Sequence, residues 1–410
     1  MDAEGISRRI AYWRDRRGFT QADFGHLMGQ TRRWVQDLEG GQRQQDPRLS
    51  VLIRAAEVLR VPLECLLNDQ RAECDIVAMP AEAVPVLDVL DRHDVLARAG
   101  DGEEACLPTA ALRRQLAYCC EAFQACHYAA LGKHLPALIV SAHRLVAAAP
   151  SGNCEAQGLL SRVYQLTASF LHKYGESTKV QAAIAADRAL IAAEQSADPV
   201  AIGAASRRVA KSMVSQGRGT AAAAFATASA TRLASDLRGR GPVGLSTLGM
   251  LYLNAALAAS GEKEKSSRAI RSATDLVEAA ADVAQQQGSD LNADWTAFGP
   301  TNVGLHRIDV LVRFEDGWSA LAAASGLDDT FIANLAKERR AQHRLSMARA
   351  QLLTRRKDAA VQSLLEADAL APEEVRRRPS TVHLVKTLIS VHPQPGEALQ
   401  RLAKACGLRG

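Results

Sequence analysis

The sequence predicts an all-α protein: five short helices at the amino end, followed by a long array of stacked helical hairpins. Three observations carry that prediction. Apolar residues recur at helical spacing, as with Ile6, Ile10 and Trp13 at i, i+4 and i+7. Alanine and leucine dominate a hydrophobic content of 47%, with aromatics at only 4%, and such small side chains let helices pack closely. From Thr109 onward, Ala/Leu-rich segments of roughly fifteen to twenty-five residues alternate with Gly- or Pro-bearing breaks, the rhythm of a helical solenoid.

The elements follow in order. A first helix buries Ile6, Ile10 and Trp13 and ends at Gly18. Thr20 is placed to cap a second helix with Phe24 and either Leu27 or Met28 inside. Gly29 supplies the turn. Thr31 caps a third helix that buries Val35 and Leu38 and stops at Gly40-Gly41. Ser50 is expected to cap a fourth, with Leu52, Ile53, Ala56 and Leu59 inside. Pro62 opens a short fifth, with Leu63, Leu66 and Leu67 inside.

Residues 71–108 read as a connector, with Pro80, Pro85, Pro108 and an acidic cluster at Asp101–Glu104. A helix is expected there around Val86–Ala99. The array then fills 109–410, with breaks expected near Gly132, Pro150–Asn153, Gly175, Asp198-Pro199, Gly217–Gly219, Gly239–Pro242, Gly261, Gly288 and Gly299-Pro300. A chain of 410 residues exceeds one ordinary core, so three segments are expected: a head at 1–70, a linker at 71–108 and a body at 109–410.

Charge narrows the function less than position does. The formal net charge is +5, and residues 1–70 hold eleven basic and ten acidic residues, so any nucleic-acid reading rests on where the arginines sit. The N-terminus lacks the apolar stretch of a signal peptide, and the best apolar run, Leu135–Ala149, is broken by His143-Arg144, so no membrane partner is expected. The eight cysteines include no Cys-x-x-Cys pair, which fits free thiols in a reducing cytoplasm. There is no P-loop, Gly-x-Ser-x-Gly or His-Glu-x-x-His motif, so neither an enzyme nor a cofactor is expected.

The span Ile6–Leu67 resembles the Xre-type helix-turn-helix family of phage repressors and Cro proteins. The resemblance is carried by Thr20-Gln21, Phe24, Gly29, Val35, Leu38-Glu39 and Gly41. Trp34-Val35, Glu39-Gly-Gly, Leu49-Ser50-Val51-Leu52 and Val61-Pro62-Leu63 look most like its actinobacterial branch. Gly25 departs from the alanine usual there. By resemblance, Arg32, Arg33 and Gln36 would face base edges in the major groove, where arginine suits guanine and glutamine suits adenine. Gln21 would orient on a phosphate, Arg17 and Arg43 would contact the backbone, and Trp34 would lie against the sugar-phosphate wall.

In the body, Ala360, Leu364, Ala367 and Pro372 resemble the second helix of a tetratricopeptide repeat, which implies a divergent tetratricopeptide-like solenoid with a concave binding groove. The string Phe298-Gly-Pro-Thr-Asn-Val, with His306 following, resembles a signature of actinobacterial regulators joining such a body to an Xre head. Pro300 is expected to open a helix that aligns Asn302, His306 and Asp309 at i, i+4 and i+7. With Trp295 they are the candidate effector-binding residues. The asparagine amide can both donate and accept, and a histidine can change charge near neutral pH. The competing reading is an interhelical hydrogen-bond network that fixes packing.

Cys119, Cys120 and Cys126, next to His127, are expected to pack as small hydrophobes. Adjacent cysteines on a helix point apart, so no metal is expected there. The resemblance implies a homodimeric cytoplasmic transcriptional regulator, nucleoid-associated when bound to a double-stranded DNA operator. Its body would sense a peptide or small signalling molecule, as in quorum sensing. The alternative is a DNA-tethered adaptor that recruits a partner protein through the repeat groove.

Overall fold

A computed structural model describes residues 3–40, 47–59, 61, 63–67, 80–92, 107–149, 153–261, 265–392 and 395–408. Among them the regular structure is helical and no β-strand occurs, so the all-α expectation holds. The one β contact is an isolated bridge between Leu291 and Phe298. The chain divides into two compact units, Met1–Met79 and Pro80–Gly410.

The first unit holds α1 (Ala3–Arg16), α2 (Gln21–Met28), α3 (Arg32–Glu39), α4 (Leu49–Leu59) and α5 (Glu64–Leu67). Ile6, Ile10, Trp13, Phe24, Val35, Leu38, Leu52, Leu59 and Leu66 form its single core. Thr20 and Asp23 form a reciprocal capping box at the start of α2: the Asp23 amide donates to Thr20 Oγ1 at 3.1 Å, and the Thr20 amide donates to Asp23 Oδ2 at 3.0 Å. Gly29 closes α2 at φ 69°, in the left-handed region.

Two expectations fail here. Helix α4 starts at Leu49, which places Ser50 inside it, and its core stripe is Leu52, Ala55, Ala56 and Leu59. Ile53 falls about 100° off that stripe and is exposed. On α2, Leu27 is exposed for the same reason, and Met28, one turn after Phe24, packs on the core instead.

One polar contact fixes the orientation of α3. Arg14 on α1 grips Glu39 at the end of α3 with two hydrogen bonds, Nε to Oε1 at 2.6 Å and Nη2 to Oε2 at 3.1 Å. Their side chains are 10% and 7% exposed. The Arg14 guanidinium also donates to the Phe19 carbonyl at 2.8 Å, and Glu39 accepts from Gln21 Nε2 at 2.9 Å, so α1, α2 and α3 meet on one charged junction.

The second unit begins earlier than expected. Helix α6 (Val84–Asp91) buries Val86, Leu87 and Leu90 and packs on the helix Tyr128–Ala148, so part of the expected connector belongs to the body. The helix expected to reach Ala99 has ended by Arg92, and residues 93–106 lie outside the described ones. The array continues through α7 (Thr109–Gln124), α8 (Tyr128–Ala148), α9 (Cys154–Leu171), a 3₁₀ segment (His172–Thr178), α10 (Lys179–Ser196), α11 (Pro199–Ser215), α12 (Gly219–Arg238), α13 (Gly241–Ala259) and α14 (Ser267–Gln287). After a strap of residues 288–299 come α15 (Pro300–Arg313), α16 (Gly317–Ser325), α17 (Asp329–Asn334), α18 (Lys337–Leu353), α19 (Lys357–Leu370), α20 (Pro372–Arg376), α21 (Pro379–Val391) and α22 (Glu397–Ala405).

Each long helix packs on its sequence neighbour, α9 on α10, α12 on α13, α13 on α14 and α18 on α19, through faces rich in alanine. Ala360, Leu364 and Ala367 lie buried on α19, and Pro372 opens α20. Helix α13 is the one described helix long and apolar enough to cross a membrane, and most of it is buried between α12 and α14.

The expected break at Gly132 is not there. The chain breaks at 125–127 and Gly132 lies inside α8. Its missing side chain admits the backbone of Glu82, which a Cβ would strike. Gly249 on α13 plays a similar part for the strap, since the Phe298 ring occupies the space a Cβ would need.

Two outcomes are expected. Glu39→Ala strips a buried guanidinium of its partner and should lower the opening free energy of α1–α3 by about 3 kcal/mol. Hydrogen exchange of the full chain should register that loss in the head and leave α10–α14 unchanged. Gly249→Ala should cost about 1–3 kcal/mol by overpacking, read as faster exchange across the strap.

Candidate functional site

In the head, Arg32 and Arg33 occupy the first two positions of α3 and Gln36 lies one turn on, all three exposed. Thr31 caps the helix by accepting from the Trp34 amide at 3.2 Å, and no acidic residue lies in the first turn. Two guanidiniums thus sit where the backbone N–H groups already carry partial positive charge. That is unfavourable for α3 in isolation and favourable toward an anionic partner. The back of the helix is held by Val35 and Leu38 in the core and by Glu39 on Arg14.

The other expected contact residues are placed differently. Trp34 packs partly on the core, so only part of its ring faces outward. Arg17 donates from Nε to the Leu59 carbonyl at the end of α4, at 2.9 Å. The Gln21 amide is taken by Glu39. Both side chains therefore brace the head. Arg43 lies outside the described residues.

The body holds a cavity of about 360 Å³. His306 and Asp309 on α15 line it, as does Trp295 on the strap, so three of the four candidate effector residues share one site. Asn302 is the exception. It is fully buried outside the lining, with its side-chain nitrogen 3.7 Å from the Met250 sulfur and its Oδ1 without a partner. The i, i+4, i+7 alignment holds, but the first member of the row packs in the core.

The imidazole of His306 lies 2.9 Å from the Asn302 carbonyl through Nδ1. A carbonyl only accepts, so Nδ1 carries the proton and Nε2 keeps a lone pair. Burial, aided by the Arg339 charge, pushes the His306 pKa down to about 4. The imidazole is therefore neutral at neutral pH, and the expected change of charge near pH 7 does not occur.

Cations dominate the cavity wall, a feature not expected from the sequence. Seven cationic side chains line it against three carboxylates. Arg207, Arg208 and Lys211 come from α11, at i, i+1 and i+4. Arg162 comes from α9, Arg313 from α15, Arg339 from α18, and Arg378 from the turn before α21. The carboxylates are already engaged: Asp294 pairs with Arg162, Asp309 accepts from Ser346, and Glu338 accepts from Lys173 at 2.6 Å. Among the described residues, no carboxylate lies within ion-pair distance of Arg207, Arg208 or Lys211. Burial depresses the pKa of all three, that of Arg208 to about 10. The sequence held a signal for them, since Arg207-Arg208 and Lys211 interrupt an α11 otherwise rich in alanine and valine.

Beside the cavity, a buried charged cluster joins distant parts of the array. Lys173, in the 3₁₀ segment, donates to Glu374 at 3.1 and 2.9 Å as well as to Glu338. Glu374 is fully buried and also accepts from the Tyr128 hydroxyl at 2.7 Å and from Arg378. Burial alone would raise both carboxyl pKa values, but Lys173 outweighs it, with Arg339 at Glu338 and Arg378 at Glu374, and holds both low.

The cysteine group is apolar in character. Cys119 and Cys126 are buried and Cys120 lines the cavity. Burial pushes the three thiols up to about 11, 12 and 12 for Cys119, Cys120 and Cys126, which keeps them protonated.

The histidines give the body a pH dependence. Burial holds His306 and His143 near pKa 4 and His172 near 2, from an ordinary value of 6.5. Below about pH 6.5 the unfolded chain takes up protons that these imidazoles refuse in the fold, so stability falls with pH; above 6.5 they contribute no slope. Thermal unfolding of the full chain should show the melting temperature dropping from pH 6.5 to 4.5, with a shallower drop in His306→Gln. Compared with known protein families, curated proteins and solved structures, the chain gives no match.

Proposed function

We propose that the protein is a sequence-specific DNA-binding transcriptional regulator, with an Xre-type helix-turn-helix head and a tetratricopeptide-like body that senses an effector. The observation that carries the reading is α3: a short helix anchored from behind by Val35, Leu38 and Glu39, presenting Arg32, Arg33 and Gln36 outward from its N-terminal turns. Such a helix fits a major groove, with guanidiniums able to pair bidentately with guanine and an amide able to pair with adenine. At the positive end of the α3 dipole the two arginines also cost the helix stability that a negative partner returns.

Effector sensing is assigned to the body, where His306, Asp309 and Trp295 line a cavity inside the size range of small-molecule sites. Two chains paired as a homodimer would set recognition helices for half-sites about 34 Å apart. Exposed Val180, Ile184 and Ile191, on one face of α10, offer an apolar surface for such pairing. The effector acts by binding one arrangement of the pair better than another.

Selection of genomic fragments by the full-length protein tests the reading. The wild type should enrich a common sequence, and Arg32→Ala should lose about 1–3 kcal/mol of discrimination at one position while keeping weak, salt-sensitive binding. A well-folded wild type that enriches no sequence overturns the assignment.

A further inference from the structure

Like charges crowd one side of the body cavity. Arg207, Arg208 and Lys211 stand on consecutive turns of α11 without a carboxylate partner, and Arg207 is 93% buried, being 7% exposed. Its Nε has no hydrogen-bond partner, nor do the Nε atoms of Arg208 and Arg339. Buried polar groups are ordinarily satisfied, and an uncompensated buried charge is among the costliest features a fold can carry. A packed core gains nothing from a buried Arg207 flanked on the same helix by the half-buried Arg208 and Lys211. A ligand with negative charge satisfies all three at once.

The remainder of the lining defines the rest of such a ligand. Phe123, Leu166, Met250 and Leu257 give the cavity an apolar wall beside the cations. Its volume, about 360 Å³, lies at the lower end of the range for small-molecule sites and favours a compact molecule over an extended peptide. Guanidinium forks bind phosphate and carboxylate oxygens two at a time.

The strap supplies one further part. Asp294, Trp295 and Ala297 all hold left-handed backbone, φ 55°, 53° and 50°, a conformation that non-glycine residues adopt at a cost. Polar bonds and packing hold the strap in place. The Gln124 and Asn292 amides pair reciprocally at 2.9 and 2.8 Å, the Ala297 amide donates to Asn292 Oδ1 at 3.1 Å, and Phe298 sits over Gly249. What this strained segment delivers is a single carboxylate, Asp294, onto Arg162 at the cavity wall.

We propose that the cavity binds a small, multiply anionic effector, carrying two or more phosphate or carboxylate groups beside an apolar or ring portion. Arg207, Arg208 and Lys211 are its counter-ions, and Asp294 is a tethered carboxylate that competes with it for Arg162. The proposal rests on the effector-sensing reading above and names the ligand class. It also gives the ligand a lever: an anion that takes Arg162 from Asp294 removes the contact for which the strap is strained.

The test is calorimetric titration of the full-length protein, without DNA, using four probes: inorganic pyrophosphate, ADP, citrate and uncharged adenosine. Saturable binding of one or more of the three anions, with none of adenosine, is expected; pyrophosphate and ADP against citrate separate phosphate from carboxylate recognition. Arg207→Gln and Lys211→Gln should each weaken the bound anion at least tenfold, and Asp294→Asn should tighten it several-fold. Melting temperatures guard against misfolding, because removing an unpaired buried cation should leave the two glutamine variants at least as heat-stable as the wild type. No saturable binding of any anion, or binding unchanged in both glutamine variants, overturns the proposal. Arg32→Ala should bind the anion as the wild type does. Anion binding without fragment enrichment would retain this site and discard the DNA reading, and enrichment without anion binding would do the reverse.

Discussion

The body depends on one buried ion cluster, Lys173 between Glu374 and Glu338. Helices that pack on their sequence neighbours need only local contacts, which give elements distant in the chain no reason to meet. Lys173 gives them one. Its ammonium lies 4.9 Å from the Phe123 ring centre and 5.3 Å from that of Tyr128, while its protons go to carboxylates on α18 and α20. Tyr128 and Arg378 complete the shell of Glu374. Residues separated by more than two hundred positions thereby become neighbours beside the cavity, whose lining takes in Glu338, Phe123 and Arg378 of this group. A charge cluster this deep returns little net stability against well-packed apolar residues, but it fixes geometry, since each group accepts few arrangements of the others.

The head uses the same device on a smaller scale. Arg14 and Glu39 meet in bidentate geometry across α1 and α3, with Gln21 joining from α2. Phe24, Val35 and Leu38 supply the burial, which is non-directional, and the guanidinium–carboxylate pair supplies the angle. An eight-residue helix is marginal in isolation, so the direction in which Arg32, Arg33 and Gln36 point is set by what holds α3 from behind.

The two charged regions differ in one respect that bears on what each does. Around Lys173 every charge faces an opposite one, and the cluster is closed. Along α11 the charges face a cavity, and the cluster is open. A field left uncompensated along a half-buried cavity wall is the arrangement that attracts an anion. Placing a strained strap at the rim, with its own carboxylate reaching inward, sets two anions in competition for one arginine.

Much of the fold was legible from periodicity and punctuation. Thr20, Gly29 and Thr31 marked the turn between α2 and α3, Pro300 marked the start of α15, and the expected breaks at Asp198-Pro199, Gly217, Gly261 and Gly288 fall at helix ends, because these residues act through their own backbone. The exceptions are instructive. Gly132 lies within α8 because Glu82 passes against it, and Ile53 faces solvent because a stripe one step around α4 carries the core. His306 and Asp309 were placed on one face by spacing alone, yet spacing could not show that Asn302 would be sealed into the core or that burial would hold His306 neutral. Sequence by itself determined the helical character, the turn between α2 and α3 and the exposed arginines of α3, since these follow from forces between residues a few positions apart. Only the tertiary structure decided that Arg207, Arg208 and Lys211 would face Arg162, Arg339 and Arg378 across a cavity, because that electrostatic field is a sum over helices distant in the chain.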